Sequence, residues 1–145
     1  MRASGKNILL AMLILSFTVC TCSQEASFRK LIVKSGTLYQ QGQYSEAAEA
    51  AEEALKVAEK TFEPDHPDVA LSLNILGELY YVQGKYAEAE PLYKRSLTIW
   101  EKSLGPNHPK VATVCENMAR CYKKLGKVDE AEKLEARARK IRSKR

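Results

Sequence analysis

The chain has 145 residues, 45% hydrophobic and 28% charged, with a formal net charge of +5. That balance excludes a disordered polar tail and fits one soluble domain large enough to bury a core without covalent staples. The positive excess sits at the ends: Arg2 and Lys6 at one, seven basic side chains against one acidic in residues 133–145 at the other, leaving −3 for residues 24–132.

The first element is read as a targeting segment, residues 1–23. Arg2 and Lys6 precede a mostly apolar run from Ile8 to Cys22, followed by the small or polar residues Ser23, Gln24 and Ala26, the layout of a secretory signal. The run is shorter than the ~20 residues that span a bilayer. Cleavage after Ser23 and an exported chain, periplasmic or secreted, are the expectation. Cys20 and Cys22 raise a second reading, a lipid anchor. Its processing wants a small residue before the cysteine, where Val19 and Thr21 stand.

Six helices are expected after it, near residues 26–41, 44–62, 67–83, 86–103, 109–125 and 128–142. In the third, Leu73, Leu76, Gly77, Tyr80 and Tyr81 recur at helical spacing, as do Tyr86, Ala89, Tyr93, Ser96 and Trp100 in the fourth; each pattern makes one apolar stripe. Gly84 marks a tight turn between these two helices. Small residues at Gly77 and Ala89 let the two backbones approach, with Tyr80 and Tyr86 filling the flanks.

Between helices the chain reads F-E-P-D-H-P-D-V-A at 62–70 and L-G-P-N-H-P-K-V-A at 104–112. Pro67 and Pro109 suit the first position of a new helix, which tolerates a missing N–H, and Pro64 and Pro106 close the previous one. His66 and His108 then read as spacers. Packed helical layers lie ~10 Å apart, too far for both to hold one metal ion, and no cysteine or carboxylate completes a ligand set. Cys115 and Cys121 stand six apart in one helix, a rotation of roughly 240° that points the thiols to different faces. They read as buried apolar groups rather than as a disulfide or metal pair.

The strongest signal is self-similarity at a shift of 42. Gly42, Gly84 and Gly126 are equally spaced, as are Ala47, Ala89 and Ala131, and 14 of 35 positions are identical between 36–70 and 78–112. Three copies follow, about 26–66, 67–108 and 109–142, within a domain at 24–145.

The order Leu76, Gly77, Tyr80, Gly84, Tyr86, Ala89, Tyr93, Ser96 resembles the tetratricopeptide repeat. The 42-residue stride, with G-K-Y-A-E-A-E-P-L-Y-K-R-S-L at 84–97, is similar to the kinesin-light-chain type. The resemblance implies an all-α, right-handed solenoid of three helix-turn-helix repeats. It also implies a concave face lined by first helices that binds a protein or peptide.

Expected on that face are Tyr39, Asn74, Glu78, Tyr81, Asn117, Arg120, Lys123 and Lys124, among neighbours that include Ile32, Gly36, Ile75 and Glu116. The groove should grade from apolar to basic, holding an aliphatic part on Tyr39 and Tyr81 and an acidic end on Arg120, Lys123 and Lys124. Light-chain repeats carry a paired L-N-N-L-A, of which this chain keeps one asparagine per copy, Asn74 and Asn117. The resemblance implies that these amides hold a ligand backbone; solvated helix surface is the alternative for each.

No nucleophile with its base, phosphate cradle or carboxylate pair is present in the pattern, so the expected function is a non-catalytic adaptor without cofactor or metal. The alternative is an electrostatic anchor or spacer using the basic stretch 133–145. That stretch lacks aromatic residues interleaved for base stacking, so nucleic acid is not favoured. Self-association through the groove or the ends is a further expectation.

Overall fold

The computed structural model describes the backbone of residues 5–144 and the side chains of residues 22–144. Six helices follow one another: α1 (Gly5–Gln40), α2 (Tyr44–Thr61), α3 (Pro67–Val82), α4 (Tyr86–Leu104), α5 (Pro109–Lys124) and α6 (Val128–Arg142). No strand occurs among the described residues. Each helix packs on the one before and the one after it, and α3 also meets α5 along the inner edge. This is the all-α solenoid of three hairpins.

The helix from Gly5 differs from the expected start near residue 26. Ile8–Cys22 contains neither proline nor glycine, so nothing in the local chain breaks the helical path. The expected export segment lies almost wholly outside the residues whose side chains are described. From Cys22 onward, the first buried side chain is Phe28, packed edge-to-face on Phe62 at 5.8 Å. Among the described residues no helix is long and apolar enough to cross a membrane.

The hairpin turns repeat one device. Gly42, Gly84 and Gly126 each have φ of 76°, the left-handed conformation that closes a helix at low cost only for glycine. At the second turn the Gly84 N–H donates to the Tyr81 carbonyl at 3.0 Å and the Lys85 N–H to the Tyr80 carbonyl at 2.9 Å. Two carbonyls left without helical partners are thereby satisfied.

The junctions between hairpins use another device. His66 and His108 are more than spacers: each occupies the N-cap of the next helix. Nδ1 of His66 accepts from the Asp68 N–H at 3.1 Å, and Nδ1 of His108 from the Lys110 N–H at 3.2 Å. An imidazole nitrogen here does the work usually given to Ser, Thr, Asp or Asn. Pro67 and Pro109 then occupy the first helical turn. His66 also stacks on Phe62 at 4.3 Å, which ties this cap to the preceding helix.

Each hairpin fills its seam differently. In the first, Ala47, Ala51, Ala54 and Ala58 of α2 are fully buried, and the buried Ser35 hydroxyl donates to the Ala47 carbonyl at 2.9 Å. In the second the bulk comes from α4: Tyr93 is fully buried against Gly77, where an added Cβ would meet the ring at 2.8 Å. Ala89 is fully buried beside them, and the Ser96 hydroxyl donates to the Ala70 carbonyl at 2.7 Å.

Tyr80, expected to flank the seam between α3 and α4, instead reaches back to α2 and donates its hydroxyl to Glu52 at 2.7 Å. That bond and burial push its pKa up to about 12. Tyr93 takes the flanking role because its ring has the whole space over Gly77. Trp100, nearly buried, closes the end of the seam, with Lys110 Nζ 4.3 Å over its ring.

Cys115 and Cys121 are buried and unpaired, and burial raises the pKa of both thiols. The Cys121 thiol points at the Tyr86 carbonyl, 3.3 Å away.

Candidate functional site

The first helices α1, α3 and α5 lie side by side and enclose a cleft of about 450 Å³. Its apolar walls are Ile32 of α1 with Ile75 and Leu79 of α3, and Tyr39 stands at one rim. Space opens over Gly36, where an added Cβ would meet nothing within 4 Å. One and two strides along the chain, the positions equivalent to Gly36 are Glu78 and Arg120. Those two pair with each other at 2.6 Å, so the inner face is filled between the second and third hairpins and vacant beside the first.

The polar part of the cleft is a single hydrogen-bonded chain. Glu78 Oε2 accepts from the Arg120 guanidinium at 2.6 Å and from the buried Tyr93 hydroxyl at 3.1 Å. The same Arg120 nitrogen donates to Asn117 Oδ1 at 2.9 Å, and Asn117 Nδ2 donates to Asn74 Oδ1 at 3.1 Å. Burial, then the Glu78 charge, raises the Tyr93 pKa; the same two causes in the same order raise that of Tyr39. Both phenols therefore stay protonated at neutral pH and remain donors.

Of the residues expected on the concave face, Tyr39, Asn74, Glu78, Asn117 and Arg120 line this cleft. Tyr81 lies beneath Arg120, whose guanidinium sits 4.9 Å over its ring, and packs on Tyr86 at 5.3 Å. Lys123 and Lys124 do not line it. Lys123 pairs with Glu135 of α6 at 2.5 Å, and Lys124 is exposed at the end of α5. Glu116 likewise turns to α6, where Arg142 grips both carboxylate oxygens at 2.6 and 2.7 Å.

The expected basic end of the groove is therefore largely neutralised from within: Arg120 by Glu78, Lys123 by Glu135. Residue spacing alone could not reveal this, because every partner is contributed by another helix. Leu79, a wall of the cleft, was not singled out by pattern; it is nearly buried and reads as core. Asn74 also borders a smaller hollow of about 130 Å³ beside Trp100, Lys110 and Thr113.

The basic C-terminal helix is partly spent in the same way. Arg137 pairs with Glu101 of α4 at 2.5 Å, and Arg142 with Glu116 of α5. These pairs brace α6 against the second and third hairpins. Lys133, Arg139, Lys140 and Lys144 remain exposed. Among the described residues no group of three or more His, Cys, Asp or Glu is placed to hold a metal ion.

The family model for the tetratricopeptide repeat matches residues 33–89 and 68–144. The chain belongs to the tetratricopeptide repeat family. Its fold resembles the crystal structure of BtubC (BKLC) from P. vanneervenii, with a TM-score of 0.77 and 25% identity over 81% of this chain and 46% of that one. It also resembles a Podosopora anserina putative kinesin light chain with nearly identical TPR-like repeats, with a TM-score of 0.74 and 29% identity over 80% of this chain and 55% of that one.

The tetratricopeptide domain of Arabidopsis FLU shares the fold alone, with a TM-score of 0.75 at 19% identity over 84% of this chain and 99% of that one. No curated protein matches the chain. The chain spans about half the length of the first two solved relatives. These tetratricopeptide repeats are of the kinesin-light-chain-like kind. Such repeats generally serve protein–protein interaction, in scaffolds that are typically non-catalytic.

Proposed function

We propose that this chain is an adaptor without catalytic activity, taking an extended segment of a partner protein along its concave face. One observation carries the reading: a cleft of about 450 Å³ with apolar walls and a vacancy over Gly36, bordered by a few convergent polar groups. Recognition sites commonly have this form, with apolar area for affinity and sparse polar groups for orientation. The alternative, an electrostatic anchor through the basic C-terminal helix, is less well supported because Arg137 and Arg142 are engaged with Glu101 and Glu116.

Filling the vacancy tests the reading. Gly36→Phe places a ring where the cleft is open while leaving the hairpin seams alone. Partners captured by the wild-type chain from an extract of its own cells should be lost by this variant and kept through a high-salt wash. Loss of every partner with salt, and none with Gly36→Phe, would favour the anchor.

For the first 23 residues the proposal is export. Its support is the layout of Arg2, Lys6 and the apolar run. Mass spectrometry of the chain recovered from its native cell tests it. A new N-terminus near Gln24 is the expected result, an acyl group on Cys20 or Cys22 would indicate the anchored form, and an intact residue 1 would refute processing.

A further inference from the structure

The two junctions between hairpins share a histidine cap and differ in what surrounds it. In each, the imidazole Nδ1 accepts the backbone N–H two residues on, that of Asp68 at 3.1 Å and that of Lys110 at 3.2 Å. The bond needs the neutral ring. A protonated imidazole carries N–H at both nitrogens, so Nδ1 turns from acceptor to donor and faces another donor. A positive charge then also stands at the positive end of the helix dipole. The folded cap thus excludes a proton that the unfolded chain accepts, and its stabilisation is present at high pH and lost as imidazole takes up its proton on acidification.

At the first junction the protonated ring would find support. His66 stacks on Phe62 at 4.3 Å, and its Nδ1 lies 3.8 Å from the Asp68 carboxylate. Glu63 and Asp65 flank it in the turn, Asp65 paired with Lys102 of α4. One stride later Leu104, Gly105, Asn107 and Lys110 stand in the places of Phe62, Glu63, Asp65 and Asp68. The charged groups that neighbouring elements bring to this second junction are Lys110 of α5, with Nζ 4.3 Å over the Trp100 ring of α4, and Arg137 of α6. Arg137 donates to the Pro106 carbonyl at 3.3 Å and pairs with Glu101 of α4 at 2.5 Å. Among the described residues no carboxylate stands at ion-pair distance from His108.

We propose that the second junction is an acid-sensitive hinge. Protonation of His108 uncaps α5 and loosens the third hairpin from the second. The first junction stays closed, because His66 gains the Asp68 carboxylate as a counter-charge and keeps its stack on Phe62. α5 supplies Asn117 and Arg120 to the cleft, so on the adaptor reading the hinge moves one wall of the binding surface; the hinge itself does not rest on that reading.

Backbone amide exchange of the free protein, read by NMR and corrected for the intrinsic pH dependence of exchange, tests this without a ligand. Between about pH 8 and about pH 5 the protection of the Lys110 amide should fall about fivefold, the equivalent of one lost cap. The amides of Val114 and Cys115, further along α5, should follow it, and that of Asp68 should fall about twofold at most. His108→Asn keeps an acceptor that takes up no proton, and should abolish the fall. Lys110→Asp gives the second junction the carboxylate of the first, and should reduce the fall at position 110 toward that at Asp68. Constant protection at Lys110 in wild type, or an undiminished fall in His108→Asn, overturns the hinge. A fall confined to Lys110 overturns the loosening of the hairpin, and equal falls at Lys110 and Asp68 overturn the difference between the junctions.

Discussion

Substituting Gly77 by alanine opposes two effects of known size at one atom. The added methyl raises helix propensity, worth about 0.8–1.0 kcal/mol in a helix interior. In the folded chain it also lands 2.8 Å from Tyr93 Cε1 and 3.0 Å from Cδ1, closer than carbon atoms pack. The ring cannot swing away cheaply, because Tyr93 is fully buried and its hydroxyl is held by Glu78 at 3.1 Å. Overpacking of this kind costs about 1–3 kcal/mol, so Gly77→Ala should be between neutral and about 2 kcal/mol less stable than wild type.

Gly36→Ala supplies the control. It makes the same change in the same kind of helix, with nothing within 4 Å of the new methyl, and should gain close to the full ~1 kcal/mol. Urea denaturation followed by circular dichroism compares the two. A double-mutant cycle sharpens the comparison: in a Tyr93→Ala background the ring is gone, and Gly77→Ala should become stabilising. The first hairpin already carries such a combination, with Ser35 and Ala51 at the corresponding positions. If Gly77→Ala stabilises the wild-type chain as much as Gly36→Ala does, the ring-over-glycine account of this seam is refuted.

Three further outcomes are expected. Ala89→Leu puts a large side chain into a fully buried position and should cost about 1–3 kcal/mol in the same denaturation assay; wild-type stability would count against close helix approach there. His108→Ala removes the N-cap of α5 and should cost about 1 kcal/mol, whereas His108→Asn, which keeps an acceptor, should cost little. Hydrogen bonds from Lys127, then Lys94, lower the Glu90 pKa. Its stabilising contribution is therefore complete above the ordinary carboxylate range and fades as pH falls through the depressed value. The stability gap between wild type and Glu90→Gln should shrink on acidification, and a gap unchanged between neutral and acidic pH would show that the charge of Glu90 does no such work.

The repeat was legible because its causes are local. A glycine every 42 residues, proline after histidine at each junction and apolar residues at helical intervals act within a few bonds of their own position. Helix ends read from sequence agree with the observed ones to within about two residues from α2 onward. The caps supplied by His66 and His108 were missed because imidazole is not among the usual capping groups, although its place before proline was a visible signal. The extension of α1 to Gly5 was missed because a signal-like apolar run and a helix share the same composition.

By itself the sequence determined the architecture: hairpins that cannot bury one apolar face alone must stack, and the 42-residue stride says how many there are and where each turns. Helical spacing also put Asn74 with Glu78, and Asn117 with Arg120, on one side of their helices, and the resemblance to the tetratricopeptide repeat implied that both sides face the groove. Only the tertiary structure decided which of them are available. Glu78 neutralises Arg120, Asn117 donates to Asn74, and Lys123 and Glu116 are drawn to α6. The physical reason is distance: local conformation is set by neighbours in the chain, whereas charge pairing and hydrogen bonding between helices are set by groups 12 to 43 residues away that only packing brings to hydrogen-bond distance.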